Sequence, residues 1–184
     1  MAACEPRAKL VLAQCPVFGA RLPEQAPGAA DFARFKNTLL HGEVGATPAT
    51  TIGPMPVVSF DPLAVPSLLA PIQAFRWFID WGGRPGSGWV NRASRISPPT
   101  PVPYSPLLCA PFVTASALLM VAPQDEMLQA NYAVARHFYA LLPGHKRWHD
   151  IADGHFGLLY YPGPRFDEAV SVQTDFLIEQ FGFR

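Results

Sequence analysis

The last third of the chain carries the pattern that most restricts its fold. An apolar run over 117–122 predicts a strand, and the spacing of apolar residues over 129–142 predicts a helix that ends at Pro143-Gly144. A second strand is predicted over 146–152, followed by a last helix over 165–181. Because strand and helix alternate with these lengths, the sequence predicts right-handed crossovers in a parallel sheet and therefore an α/β fold.

Two chemically active side chains follow the two predicted strands. Asp125 comes just after the first strand, and His155 lies thirty residues later between two glycines, in 154–157. Because loops at the carboxyl ends of parallel strands meet at one sheet edge, we predict that Asp125 holds one ring nitrogen of His155 and leaves the other free to take a proton. Glu126 is expected to face solvent or to start the next helix. In the alternative, Asp125 only caps that helix and His155 is a structural loop residue.

Composition limits the partners and the compartment. Hydrophobic residues make up 49% of the 184 residues and charged residues 15%, as in a globular domain with a substantial core. Fourteen basic and fourteen acidic side chains cancel, so no net field attracts nucleic acid or an anionic membrane surface. The three cysteines have no paired spacing, and the amino-terminal apolar run is too short for an export signal. We therefore expect a cytoplasmic protein that binds neither nucleic acid nor membranes.

The rest of the chain divides into a short strand and a long proline-rich region. The apolar run over 8–18 predicts a fully buried strand of the parallel sheet. Over 19–111 the apolar stretches are short, and 12 of the 21 prolines lie within 48–106. We therefore assign residues 1–18 and 112–184 to a core domain and residues 19–111 to an inserted cap.

The cap is expected to be largely helical with irregular connections. Three helices are predicted in it, two of them with a capping side chain: 32–40 after Asp31, 68–81 after Ser67, and 86–92. The proline run over 97–103 is predicted to be extended, since proline removes a backbone donor and biases its predecessor away from helix.

Three histidines and two aspartates within 145–155 raise the alternative of a metal site, because imidazole and carboxylate groups bind zinc or iron. The alternation of the second strand, however, sends His149 and Asp150 to opposite faces of the sheet. We therefore predict no metal and no cofactor. Cys15 and Cys109 are interpreted as small buried apolar groups, because neither has a basic neighbour in sequence that would favour a thiolate.

These segments resemble the last two strand-helix units of the α/β-hydrolase superfamily, and within it the esterase-like and peptidase-like members. The similarity lies in motifs that follow one another in the family's order: Ala117-Leu-Leu-Met-Val-Ala-Pro-Gln-Asp125-Glu, Pro143-Gly-His-Lys, Gly154-His155-Phe-Gly-Leu, Phe166-Asp-Glu-Ala and Phe176-Leu177. Residues 8–18 are similar to the strand that follows the family's nucleophile helix. The resemblance implies a partial α/β-hydrolase fold with about three parallel strands, in which Asp125 and His155 are the catalytic acid and histidine.

The family's nucleophile has no counterpart in this sequence. The Gly-x-Ser-x-Gly elbow needs small residues around its serine, whereas Ser87 has a proline two residues before it and a tryptophan two residues after it. The resemblance implies that the amide donors of the oxyanion hole also belong to the missing half. A sheet that begins at 8–18 leaves one strand edge open, so we expect self-association or a partner chain to cover it.

The hypothesis from the sequence is therefore the carboxyl-terminal part of a serine hydrolase that acts on a small-molecule ester, amide or lactone. It would contribute His155 and Asp125 and be inactive as an isolated chain. The alternative is a non-catalytic remnant that binds an apolar small molecule or a protein partner through the cap and the open sheet edge. A third alternative is a metal-dependent enzyme that uses the late histidines.

Overall fold

The chain forms two compact units in a computed structural model. We call them the sheet unit (1–36 and 104–184) and the insertion unit (37–103). Of the helices in the described part of the chain, none combines the length and the apolar character that crossing a bilayer requires. The structure describes four stretches of the chain: 1–24, 28–42, 50–97 and 106–182.

Strands and helices alternate along most of the described residues. In chain order they are β1 (Leu10–Gln14), α1 (Ala29–His41), β2 (Thr50–Met55), α2 (Ile72–Gly82), β3 (Ala93–Ser97), α3 (Pro106–Cys109), β4 (Ser116–Val121), α4 (Tyr132–Leu141), β5 (Lys146–Asp150), α5 (Gly154–Gly157) and α6 (Pro164–Phe181). A short 3-10 turn, Ala110–Phe112, follows α3 directly. The strands and helices predicted in the last third are confirmed to within a few residues at each end.

The sheet unit contains one sheet of three parallel strands in the order β1-β4-β5. Leu12 of β1 lies opposite Leu118 of β4, and Leu119 of β4 lies opposite Trp148 of β5. The predicted α/β fold, with three parallel strands and flanking helices, is therefore confirmed. All three strands run in the same direction, so their carboxyl ends share one edge of the sheet.

The central strand β4 is covered on both faces. One apolar cluster joins alternate residues of β4 to α4: Ala117, Leu119, Val121, Val134, Ala135 and Phe138. A second cluster joins the intervening residues of β4 to α6: Leu118, Met120, Ala169 and Phe176. Buried on both sides, as strands of parallel sheets are, β4 gives the loop at its carboxyl end a rigid base.

The first strand differs from the prediction of a fully buried strand over 8–18. β1 is only five residues long and is half-buried, because within the described residues it pairs with β4 alone. The next residue after it is Cys15, whose N–H donates to Met120 O at 2.8 Å and whose φ is 41°. Since a positive φ turns the backbone out of the extended conformation, the second half of the apolar run leaves the sheet.

The insertion unit contains an antiparallel pair of strands, β2 with β3, which the prediction of a largely helical cap missed. The predicted helix over 86–92 does not form, since Gly86 and Gly88 have φ of 82° and 67° and interrupt any helical run. Of the predicted extended segment 97–103, all but the first residue lies outside the described residues.

Two predicted helix starts were also wrong. The helix predicted from residue 68 begins at Ile72, because the N–H of Leu68 donates to Pro56 O while Ser67 Oγ donates to Leu69 O instead of capping. α1 begins at Ala29, so Asp31 is its third residue rather than its cap. The Asp31 carboxylate nevertheless accepts the N–H of Gly28 at 2.9 Å, which satisfies a free donor at the helix start.

Candidate active site

The acid and the histidine predicted from the sequence lie side by side at the carboxyl edge of the sheet. Asp125 follows β4 in a turn, and His155 lies in the short helix α5 just after β5. Asp125 Oδ2 is 2.9 Å from His155 Nδ1. The Asp125 side chain is 2% exposed and the His155 side chain 19% exposed. A buried carboxylate at Nδ1 favours the tautomer that carries its proton there and leaves Nε2 as an acceptor.

The second oxygen of Asp125 is held by the backbone. Asp125 Oδ1 accepts the N–H of Met127 at 2.8 Å. The following helix, α4, is capped by a different residue, Asn131, whose Oδ1 accepts the N–H of Val134 at 3.1 Å. Asp125 is therefore not the cap of that helix, and its carboxylate is fixed between its own turn and the imidazole.

Glu126 points inward, contrary to the expectation that it faces solvent or starts a helix. Its Oε2 accepts the backbone N–H of His155 at 2.9 Å. Its Oε1 is buried and has no hydrogen-bond partner among the described residues. A Cβ on Gly154 would stand only 2.3 Å from Oε2, so the bare glycine leaves room for this carboxylate. No local sequence pattern signals this orientation, because it depends on the turn after β4.

Cys15 brings a third group to the same edge of the sheet. Its Sγ, a carboxylate oxygen of Asp125 and a ring nitrogen of His155 all lie within 4.8 Å of one another. Burial raises the pKa of the Cys15 thiol to about 12, and the negative charges of Asp125 and Glu126 add to the shift. The thiol is therefore neutral near pH 7 and is not a thiolate nucleophile. The prediction of a buried apolar cysteine is confirmed, but its place beside the pair was missed.

The Cys15, Asp125 and His155 side chains are of the types that bind zinc. Ligand atoms around a tetrahedral zinc lie roughly 3.3 Å apart or more, whereas Asp125 Oδ2 and His155 Nδ1 are 2.9 Å apart and share a hydrogen bond. The geometry therefore fits a hydrogen-bonded pair better than a metal centre.

The late histidines do not gather into one site. His145 Nε2 lies 3.3 Å from Glu179 Oε1, while His149 Nε2 lies 3.0 Å from Glu168 Oε1. Asp150 accepts from the hydroxyl of Tyr132 at 3.0 Å instead. The alternation of β5 disperses these side chains, as predicted, so the third alternative loses its ligand set.

Ion pairs tie the histidine loop to the start of α6. Arg165 Nε donates to Asp153 Oδ2 and its Nη1 to Glu168 Oε2, each at 3.0 Å. Hydrogen bonds from Arg165 and His149 lower the pKa of Glu168. Asp153, Arg165 and Glu168 line a cleft of about 520 Å³ beside the loop, which neither Asp125 nor His155 lines. The cleft is thus a neighbour of the pair rather than its binding site.

The serine in the most elbow-like sequence setting does not occupy an elbow. Ser87 belongs to the insertion unit, where its Oγ donates to Gly82 O at the end of α2 and accepts the N–H of Trp89. It follows a helix rather than a strand. Ser87 therefore closes a helix end and lacks the strand-to-helix turn that exposes a nucleophile.

Solved structures with a similar fold include a lipase, which is a hydrolase. The structure of DcsB in complex with its substrate analogue is one of them. The match covers 97% of this chain and 59% of DcsB, with a TM-score of 0.54 and 16% sequence identity. A monoacylglycerol lipase from Paleococcus ferrophilus matches 97% of this chain and 62% of that chain, with a TM-score of 0.52 and 13% identity. The chain has an α/β-hydrolase-like fold.

The same comparisons define what the likeness covers. At these identities it concerns the fold and no particular family. The chain spans about three fifths of the length of each of the two proteins. Family models give no match to the sequence, and neither do curated proteins.

Proposed function

We propose that this chain is the carboxyl-terminal part of a serine hydrolase of the esterase-like or peptidase-like kind. Its substrate would be a small-molecule ester, amide or lactone, with the region over 19–111 as the cap. His155 serves as general base and then general acid, and Asp125 orients it. The observation that supports this most is the 2.9 Å hydrogen bond between a buried carboxylate and an imidazole at the ends of adjacent parallel strands.

The pair accounts for the proton transfers of such a reaction. His155 Nε2 takes the proton from an attacking hydroxyl, while Nδ1–H stays on Asp125 and the carboxylate stabilises the imidazolium that forms. The proton then passes from Nε2 to the leaving oxygen or nitrogen. Nε2 makes no hydrogen bond within the described residues, so it is open to such a partner.

The attacking serine comes from outside this chain in this proposal. No serine of the sequence stands in a Gly-x-Ser-x-Gly motif. Within the described residues β1 has a free edge, on which further strands could extend the sheet. Without nucleophile and oxyanion donors, the isolated chain is expected to turn over no ester at a useful rate.

The experiment compares the isolated chain with a longer one. The coding sequence upstream of Met1 is inspected for a strand-turn-helix with Gly-x-Ser-x-Gly, and the extended chain is assayed with a fluorophosphonate probe and a short-chain nitrophenyl ester. We expect labelling and hydrolysis only in the extended chain. Asp125→Asn there should lower kcat by about 10⁴-fold, and His155→Ala by at least as much.

Matched control residues lie on β5, the strand that precedes the histidine loop. His149→Ala and Asp150→Asn alter the same residue types on β5, outside the pair, and should keep the extended chain active. Hydrolysis that survives His155→Ala would overturn the assignment of the base.

A second candidate function is a non-catalytic remnant that binds an apolar small molecule or a protein partner. The observation that favours it is the exposed apolar surface of the insertion unit, where Phe60 is 73% and Leu63 95% exposed, together with the free edge of β1. No upstream elbow, no labelling, and concentration-dependent self-association in sedimentation would support this candidate over the hydrolase.

A further inference from the structure

We infer that Glu126 is a positioning residue that holds the main chain of His155 and so aims its imidazole. This inference rests on the proposed function, since it assigns Glu126 a task in the same relay. Asp125 and Glu126 are adjacent, yet they hold different parts of one histidine: Asp125 the ring at Nδ1, and Glu126 the backbone N–H, both at 2.9 Å. A histidine fixed at two points has little freedom to move Nε2.

The histidine loop has a backbone that needs such a hold. Asp153 and Gly154 have φ of 72° and 75°, so two successive residues occupy the left-handed region just before His155. For Asp153 this conformation costs free energy, and surrounding contacts must maintain it. The Glu126 carboxylate supplies a charge-assisted hydrogen bond at the point where the turn ends.

Stability alone does not explain where Glu126 lies. Its Oε1 is buried without a hydrogen bond among the described residues, and leaving a buried carboxylate oxygen unpaired is unfavourable. An apolar residue at 126 would avoid that cost but could not accept the His155 N–H. The arrangement is accounted for if holding His155 matters more than the free energy of the fold.

Gly154 completes the arrangement. A Cβ at 154 would stand 2.3 Å from Glu126 Oε2 and 3.2 Å from its Cδ, so the carboxylate would have to move away. Gly154→Ala is therefore expected to push the Glu126 carboxylate away and to break its hydrogen bond with the His155 N–H. The effects of Gly154→Ala and of a substitution that removes the Glu126 carboxylate should be non-additive, because without the carboxylate the added Cβ no longer clashes with it.

The test uses NMR of the full 184-residue chain and reads His155 directly, independently of hydrolysis. Glu126→Asp keeps the charge but is one methylene too short, whereas Glu126→Gln keeps the reach and loses the charge. We expect Glu126→Asp to speed hydrogen exchange at the His155 amide at least tenfold and to broaden the deshielded Nδ1 proton. Glu126→Gln should retain most of the amide protection at His155 and most of the sharpness of the Nδ1 proton signal.

Glu179→Gln is the matched control, because Glu179 pairs with Arg147 and His145 in an exposed position away from the pair. Amide protection at Leu118 reports whether each variant is folded. Wild-type His155 signals in Glu126→Asp would overturn the inference, and so would equal losses in the Asp and Gln variants with Leu118 still protected. In the extended hydrolase, Glu126→Asp should lower kcat and leave KM unchanged. If His155→Ala there has no effect, the proposed function fails while the NMR result stands.

Discussion

The central strand β4 and the edge strand β1 differ in how completely they are covered. Helices cover both faces of β4, and the turn at its carboxyl end holds Asp125 in a hydrogen bond with His155. At β1 the strand is half-buried and, within the described residues, paired on one side alone. In the proposed hydrolase, Asp125 is thus held by the covered central strand, while further strands and the nucleophile would join at the open edge of β1.

Cys15 follows β1 and its N–H donates to Met120 O of β4, and its reactivity gives the largest expected effect. Its backbone follows the open strand, but its thiol lies with the pair and has a pKa raised to about 12. At pH 8 its alkylation by iodoacetamide should be roughly 1000-fold slower in the native chain than in urea, because the thiolate fraction falls with the shift. Peptide mass spectrometry resolves the three cysteines. Similar native and denatured rates would contradict the burial of the Cys15 thiol.

The same thiol makes stability depend on alkaline pH. Its folded pKa, about 12, lies above the ordinary value of 9.0, so its contribution is fully present below pH 9. That contribution is lost as the pH rises from 9 towards 12. Cys15→Ala should flatten this part of the urea stability curve, and an unchanged slope would contradict the assignment.

Substitution of leucines on the adjacent strands β1 and β4 gives the next largest effect, a loss of stability. Leu118 and Leu12 are paired across β4 and β1 and belong to the same apolar cluster, but Leu118 is 0% exposed and Leu12 is half-buried. Leu118→Ala should lower the free energy of unfolding by about 3 kcal/mol, and Leu12→Ala by about 1 kcal/mol. Urea titration followed by circular dichroism measures both. Equal losses would mean that β1 is as well covered as β4.

The smallest effect concerns the ion pairs beside the histidine loop. The pKa of Glu168 is lowered by hydrogen bonds from Arg165 and His149, so its stabilisation is present above its ordinary value of 4.5 and is lost as the pH falls through the lower, folded value. Because these groups are exposed, Glu168→Gln should cost less than about 1 kcal/mol at pH 7. The difference in the free energy of unfolding between wild type and variant should disappear in acid. A difference that persists at pH 3 would point to packing instead.

The sequence predicted best where local patterns decide the structure. The periodicity of 117–181 gave β4, α4, β5 and α6, and the shared edge of parallel strands brought Asp125 to His155. The predictions in this region needed no information from distant parts of the chain. For this reason both residues of the pair could be named before the structure.

The wrong predictions depend on contacts between different segments of the chain. β2 contains Gly53-Pro54, which weakens any strand signal, and it pairs with β3 some forty residues later. α2 begins later than predicted because Leu69 forms a β-bridge with Val58. The inward turn of Glu126 also needs the room that the bare backbone of Gly154 leaves, and no spacing rule relates the two residues.

The parallel pairing of β1 with β4 also has a consequence for how the chain folds. Leu10 and Ser116 are partners separated by roughly 100 residues, whereas Ala117 and Lys146 are partners separated by roughly 30, so closing the first loop costs about 1 kcal/mol more chain entropy. We expect the β4-α4-β5-α6 segment to reach its native contacts first and β1 to dock last. During synthesis, β1 would leave the ribosome roughly 100 residues before β4, so of these three strands it would wait longest for its neighbour.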